Sequence, residues 1–177
     1  LDRVDGEVQM PVTRMNHAVL YVRDATRTAA FYREVLDFRL VFEMSGGRAM
    51  FLQAPASTND HDLGLFTIGE GAAASGAGRT TVGLYHIAWE VDTLDELERI
   101  RSRLAERGAL VGATDHGTTK ALYAHDPDEL ELEVSWLVPA ALITEGTQAR
   151  MAPLDIAAEK ARFGGSTRGG VGVSIPA

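Results

Sequence analysis

The chain has 177 residues, 45% hydrophobic and 24% charged, and its 25 acidic against 17 basic side chains leave a formal charge of −8. That length fits one domain or two small modules sharing a core, and an acidic surface repels phosphate backbones and anionic headgroups, so neither nucleic acid nor a membrane surface is expected as a partner. The absence of cysteine excludes disulfides and cysteine-based zinc sites and fits a cytoplasmic protein, and no apolar run approaches the roughly 20 residues that span a bilayer.

In chain order, residues 1–13 read as an irregular arm. Residues 15–22 (MNHAVLYV) form an apolar run of strand length, and Asp24 then offers an N-cap oxygen to a helix. Ala25, Ala29, Tyr32 and Leu36 fall at helical spacing, which predicts an amphipathic helix over 25–36. Strand-like runs follow at 38–44, 48–54 and 61–68, separated by Gly46-Gly47 and by the turn-forming segment 55–59. Residues 69–80 (GEGAAASGAGRT) have the composition of a flexible linker.

The pattern then restarts. Residues 84–91 (LYHIAWEV) are a second strand-length run, Thr93 and Glu96 form a capping-box pattern, and Leu94, Leu97, Ile100 and Leu104 make one helical stripe. Strand-like runs at 109–114, 120–125 and 130–138 end at Pro139. The chain therefore divides into an arm (1–13), a module (14–69), a linker (70–82), a second module (83–138) and a tail (139–177). Each module reads strand–helix–three strands, an internal repeat. In the tail, 152–162 has helical character and 164–173 looks mobile.

His17 and His86 occupy the same place in the two repeats, near the start of the first strand. Two such units packed side by side as a curved sheet would bring both imidazoles towards one point. A third ligand is expected from the run LELEVSW, where Glu131 and Glu133 share one strand face. Carboxylates within a sheet of Leu and Val are costly unless paired or metal-bound. Two histidines and one carboxylate leave coordination positions open, a set that suits non-haem Fe(II) working with O₂. The first repeat has Gly64 and Leu65 near the place matching Glu133, which disfavours a fourth protein ligand.

The segments NHAVLYVRD, AFYREVLDF, YHIAWEVD and DPDELELEV resemble the vicinal oxygen chelate superfamily over roughly residues 14–138. That group includes glyoxalases, antibiotic-binding resistance proteins and extradiol dioxygenases. The resemblance implies an α+β fold of two βαβββ modules whose curved mixed sheet surrounds a metal cleft. Further segments resemble the extradiol, catechol 2,3-dioxygenase-like branch: HDLGLF beginning at His61, DHGTTK with His116, and Tyr123 ten residues before Glu133 with Asp126-Pro127 between. By that resemblance His17, His86 and Glu133 are the ligands of Fe(II), with Mn(II) able to take the same place. His61 assists proton transfer, and His116 and Tyr123 hydrogen-bond substrate oxygens. Glu129 stands where the branch has a turn glycine.

The implied function is ring cleavage of a catechol-like diol by O₂, in a homo-oligomer. The alternatives are a glyoxalase-like lyase or epimerase, and a metal-free drug-binding resistance protein. Plainer readings stand beside the site roles: core histidines for His17 and His86, a turn residue for His61, a surface loop for His116, a sheet aromatic for Tyr123, and Glu131 in place of Glu133. Trp89 and Trp136 read as core or pocket wall, and His125 as an exposed residue beside a turn.

Overall fold

The computed structural model describes residues 12, 14–78, 80–144 and 149–170, together with the backbone of 3–4 and 7–8. Where the composition suggested an irregular arm, β1 (Arg3–Val4) pairs antiparallel with β2 (Glu7–Val8). The first repeat comprises β3 (Ala18–Val22), α1 (Ala25–Leu36), β4 (Arg39–Met44), β5 (Ala49–Gln53) and β6 (Leu63–Thr67). The second comprises β7 (His86–Glu90), α2 (Leu94–Glu106), β8 (Leu110–Asp115), β9 (Thr119–His125) and β10 (Glu131–Leu137).

Local chemistry sets the helix ends. The Asp24 carboxylate accepts from the Thr26 and Arg27 amides, which would otherwise lack partners at the start of α1. Asp37 closes the same helix in the left-handed region, at φ 56°. Thr93 accepts from the Glu96 amide at 3.2 Å. The return half of that capping box is not made; the Glu96 carboxylate pairs with Arg99 instead.

Each repeat folds into one sheet, in the orders β3-β6-β5-β4 and β11-β8-β9-β10-β7, where β11 (Ala152–Pro153) comes from the tail. In both, the first strand runs parallel to the last, β3 with β6 and β7 with β10, and the other pairs are antiparallel. Strand alternation gives each sheet two unlike faces. On β3, Leu20 and Val22 are buried whereas Val19 and Tyr21 are exposed. The buried faces of both sheets pack on α1 and α2, which also touch each other, so the two repeats share one apolar core. The other face of each sheet is open.

Three ion-pair groups fasten the repeats together, one of them the exposed Glu34–Arg107 pair. Asp128, nearly buried in the turn before β10, receives Arg23 at 2.8 Å and Arg27 at 3.2 Å. Asp37 receives Arg99 at 2.6 Å and Arg103 at 2.8 Å from α2.

The tail docks on the second repeat. β11 extends its sheet, and α3 (Ile156–Phe163) lies against α2. Lys120, with no exposure at all, is held by Asp115 at 2.6 Å and by Glu159 of α3 at 2.8 Å. The following residues, expected to be mobile, are tied down as far as 170: the Trp136 indole donates to the Thr167 carbonyl at 3.2 Å, and the Gly169 amide to that of Asp92 at 2.8 Å. Residues 171–177, part of the same expectation, lie outside the described residues. Among the described residues no helix is long and apolar enough to cross a membrane.

Candidate functional site

The register of the two parallel strand pairs lays out the site. In the second repeat Glu131 lies opposite His86 and Glu133 opposite Ala88. In the first, Leu63 lies opposite Ala18 and Gly64 opposite Val19. With His17 superposed on His86, Gly64 therefore takes the position of Glu133. A Cβ at Gly64 would lie 3.4 Å from Val19 and 3.5 Å from the Phe51 ring. The first repeat fills with an aromatic ring the space that the second gives to a carboxylate.

On β10, Leu132, Val134 and Trp136 enter the core, which turns Glu131 and Glu133 to the open face. His86 Nε2 stands 3.2 Å from Glu133 Oε2. Its Nδ1 is buried without a hydrogen-bond partner, the nearest carboxylate oxygen of Glu131 being 3.8 Å away. Tyr123 lies directly across from Glu133 on β9, its ring centroid 5.9 Å from that of His86. Burial and, after it, the Glu133 carboxylate push the Tyr123 hydroxyl up to about 12. It therefore remains a hydrogen-bond donor at neutral pH, and His116 Nε2 lies 2.9 Å from its oxygen.

His116 is placed by the bend after β8. Its amide donates to the Thr119 carbonyl at 2.9 Å, and its own carbonyl accepts from the Arg150 amide at 3.3 Å. The preceding residue, Asp115, is clamped by Arg150 and Lys120 and accepts from the Gly117 amide at 2.8 Å. Burial raises the Asp115 carboxyl, but those bonds prevail and hold it at about 2.

His17 and His61 belong to the first repeat. His17 lies one residue before β3 and is exposed; its Nδ1 is 2.7 Å from Asn16 Oδ1. Its ring centroid is 4.5 Å from that of His61, which in turn is 5.2 Å from Phe51. Since Phe51 and Val19 both bound the space over Gly64, these contacts place the two imidazoles on the open face as well. His61 itself sits in the loop before β6, shaped by Asp62, which accepts from the Ala54 amide and the Ser57 hydroxyl, each at 2.8 Å.

The structure thus brings His86, Glu133, Tyr123 and His116 together and pairs His17 with His61. Among the described residues it does not draw three His, Asp or Glu side chains into one metal-binding group. The donors are engaged locally, His86 with Glu133 and His17 with Asn16. Even so, the donor set fits a divalent metal: two imidazoles and a carboxylate on open sheet faces, with one buried imidazole nitrogen left unbonded.

The remaining expected residues divide. Trp136 is fully buried core. The Trp89 ring packs 5.0 Å from Phe38, with its indole nitrogen unbonded. His125 is half-buried, its Nδ1 3.3 Å from a Glu129 carboxylate oxygen. Two residues at the site escaped the sequence reading. Tyr85, whose ring lies 4.7 Å from His86, carried no signal beyond adjacency. Lys120 did carry one, a cation in the same alternation phase as the core-facing Leu122 and Ala124.

With the geometry established, comparison with known proteins identifies the lineage. The chain belongs to the Glyoxalase/Bleomycin resistance protein/Dioxygenase superfamily, which it matches over residues 14–134. It is 29% identical over 122 residues to the catechol-2,3-dioxygenase of Bacillus subtilis (strain 168), an alignment covering 69% of this chain and 41% of that protein. The chain therefore spans less than half the length of this relative. Its fold is similar to that of a glyoxylase/bleomycin resistance protein/dioxygenase domain from Frankia sp. EAN1pec (TM-score 0.59, 23% identity, 76% of this chain and 95% of that one). It is similar also to the lactoylglutathione lyase of Agrobacterium tumefaciens (TM-score 0.53, 22% identity, 71% and 95%).

Proposed function

We propose that this protein is an Fe(II)-dependent extradiol dioxygenase, opening the ring of a catechol-like diol beside its two hydroxyls with O₂. The observation that carries the reading is the grouping of His86 and Glu133 with a protonated Tyr123 and His116 on one open sheet face. The similarity to a catechol-2,3-dioxygenase supports it. His17, His86 and Glu133 would hold the metal, and Mn(II) could take the same ligands. When bound, the metal supplies Lewis acidity and a common meeting point for the diol and O₂.

The chain's own residues supply the rest. His61, stacked beside His17 on the open face of the first repeat, would take a proton from a substrate hydroxyl. The Tyr123 hydroxyl donates to the substrate oxygen on which charge accumulates. His116, within hydrogen-bond reach of that hydroxyl, orients it. Phe51 presents an apolar wall in the first repeat where a fourth carboxylate ligand would stand, which disfavours the lyase or epimerase reading.

The test is metal analysis of protein purified without oxygen, followed by a catechol assay read by the yellow ring-opened product. About one iron per chain with yellow product is expected. His86→Ala and Glu133→Gln should each abolish both, and His17→Ala likewise. Metal without ring opening across varied catechols would favour a lyase or epimerase. Failure to take up Fe(II) at all would leave a small-molecule binding protein.

A further inference from the structure

Beside the candidate centre a cleft of about 380 Å³ runs between the two repeats. It adjoins the site through two lining residues: the Tyr85 ring lies 4.7 Å from that of His86, and a Glu131 oxygen 3.8 Å from His86 Nδ1. The facing wall is Val19 and Tyr21 of β3, and the linker closes one side with the small residues Ala72 and Ala77. That volume lies in the range of small-molecule pockets, whose apolar walls are matched by few polar groups. The charges are as informative as the walls. Among the described lining residues the one cation is Arg23, and it is already bound by Asp128 at 2.8 Å and by the Ala72 carbonyl at 3.3 Å. Asp128 is offset by Arg23 and by Arg27 at 3.2 Å, which leaves Glu131 as the charge of the lining without an arginine partner. A substrate carboxylate entering here would meet the Glu131 carboxylate and a cation already engaged, whereas an apolar ring would meet tyrosine faces and aliphatic side chains.

We propose that this cleft sets specificity by receiving the substituent of the diol, admitting a neutral aryl group and rejecting carboxylated catechols. The proposal rests on the dioxygenase reading for the orientation of the diol, but it can be tested without turnover. Phenols with a single hydroxyl cannot chelate, so 3-phenylphenol and 3-hydroxyphenylacetate are titrated into the metal-free full chain and followed by intrinsic fluorescence. 3-Phenylphenol should bind at least tenfold more tightly. Ala72→Trp, which fills the cleft from the linker, should weaken it at least tenfold with the melting temperature unchanged. Tyr21→Arg, at a position 73% exposed, supplies an unengaged cation and should raise the affinity of 3-hydroxyphenylacetate at least tenfold. Equal or tighter binding of the carboxylated phenol to the native chain, or indifference of 3-phenylphenol to Ala72→Trp, would overturn the assignment. The iron-loaded chain separates the two readings. If it opens no diol while the metal-free chain still prefers 3-phenylphenol, the dioxygenase reading falls and the cleft assignment stands. If it opens 3,4-dihydroxyphenylacetate faster than 2,3-dihydroxybiphenyl, the cleft assignment falls and the dioxygenase reading stands.

Discussion

At the scale of single residues, the site and the turn beside it make separate predictions. Tyr123→Phe removes the donor while leaving the ring between His86 and His116, so it should lower kcat by about 10²-fold with iron content unchanged. The turn ahead of β10 carries two costs. Glu129 adopts φ 64°, the left-handed region that disfavours side chains. Glu129→Gly should therefore stabilise the fold by roughly 0.5–1 kcal/mol in urea denaturation. In the same turn Asp126 is buried; its Oδ1 accepts from the Asp128 and Leu130 amides, and Oδ2 has no partner. Burial, outweighing those bonds, pushes its carboxyl up to about 6. A raised carboxyl favours folding only while protonated, so its contribution is full below about pH 4 and is lost as pH rises through about 6. Asp126→Asn keeps the accepting oxygen and removes the charge. The variant should gain on the native chain between pH 4 and pH 8, by up to about 3 kcal/mol, and differ little at pH 4.

At the scale of elements, the second repeat depends on the tail. Lys120→Met would leave Asp115 and Glu159 with Arg150 alone, which stands 3.9 Å from Glu159, and should cost about 3 kcal/mol in chemical denaturation. It should also loosen the bend that carries His116, so that ring opening weakens beyond what the lost stability explains. What the sequence disclosed and what it hid differ for physical reasons. The helix at 25–36 was legible because a cap at Asp24 and a stripe through Ala25, Ala29, Tyr32 and Leu36 coincide; its left-handed end at Asp37 carried no such signal. The strands were legible as apolar runs of strand length, and the shared open face of Glu131 and Glu133 from alternation. The position of His17 was not: it precedes β3, held by Asn16 and by stacking on His61, contacts that no periodicity encodes. Nor could the tail be placed, since its anchors pair residues distant in sequence, such as Lys120 with Glu159 and Trp136 with Thr167.

At the scale of the whole molecule, the proposed ligands come from both repeats, so under the dioxygenase reading the metal site depends on how the repeats are fastened. Asp128 is the most buried of the fastening groups, and Asp128→Ala should cost about 3 kcal/mol by leaving Arg23 unpaired. The exposed Asp37 pairs should matter less and fade with salt, a contrast measurable by denaturation at low and high ionic strength. The replacement of a carboxylate position by Gly64 and the Phe51 ring reaches further. It breaks the two-fold likeness of the repeats at the point where a ligand would sit. A diol with two identical oxygens would then meet a polar wall on one side and an aromatic one on the other. Under the dioxygenase reading, the two ring bonds flanking the hydroxyls meet different walls, and an unsymmetrical catechol should yield a single regioisomer of the opened ring.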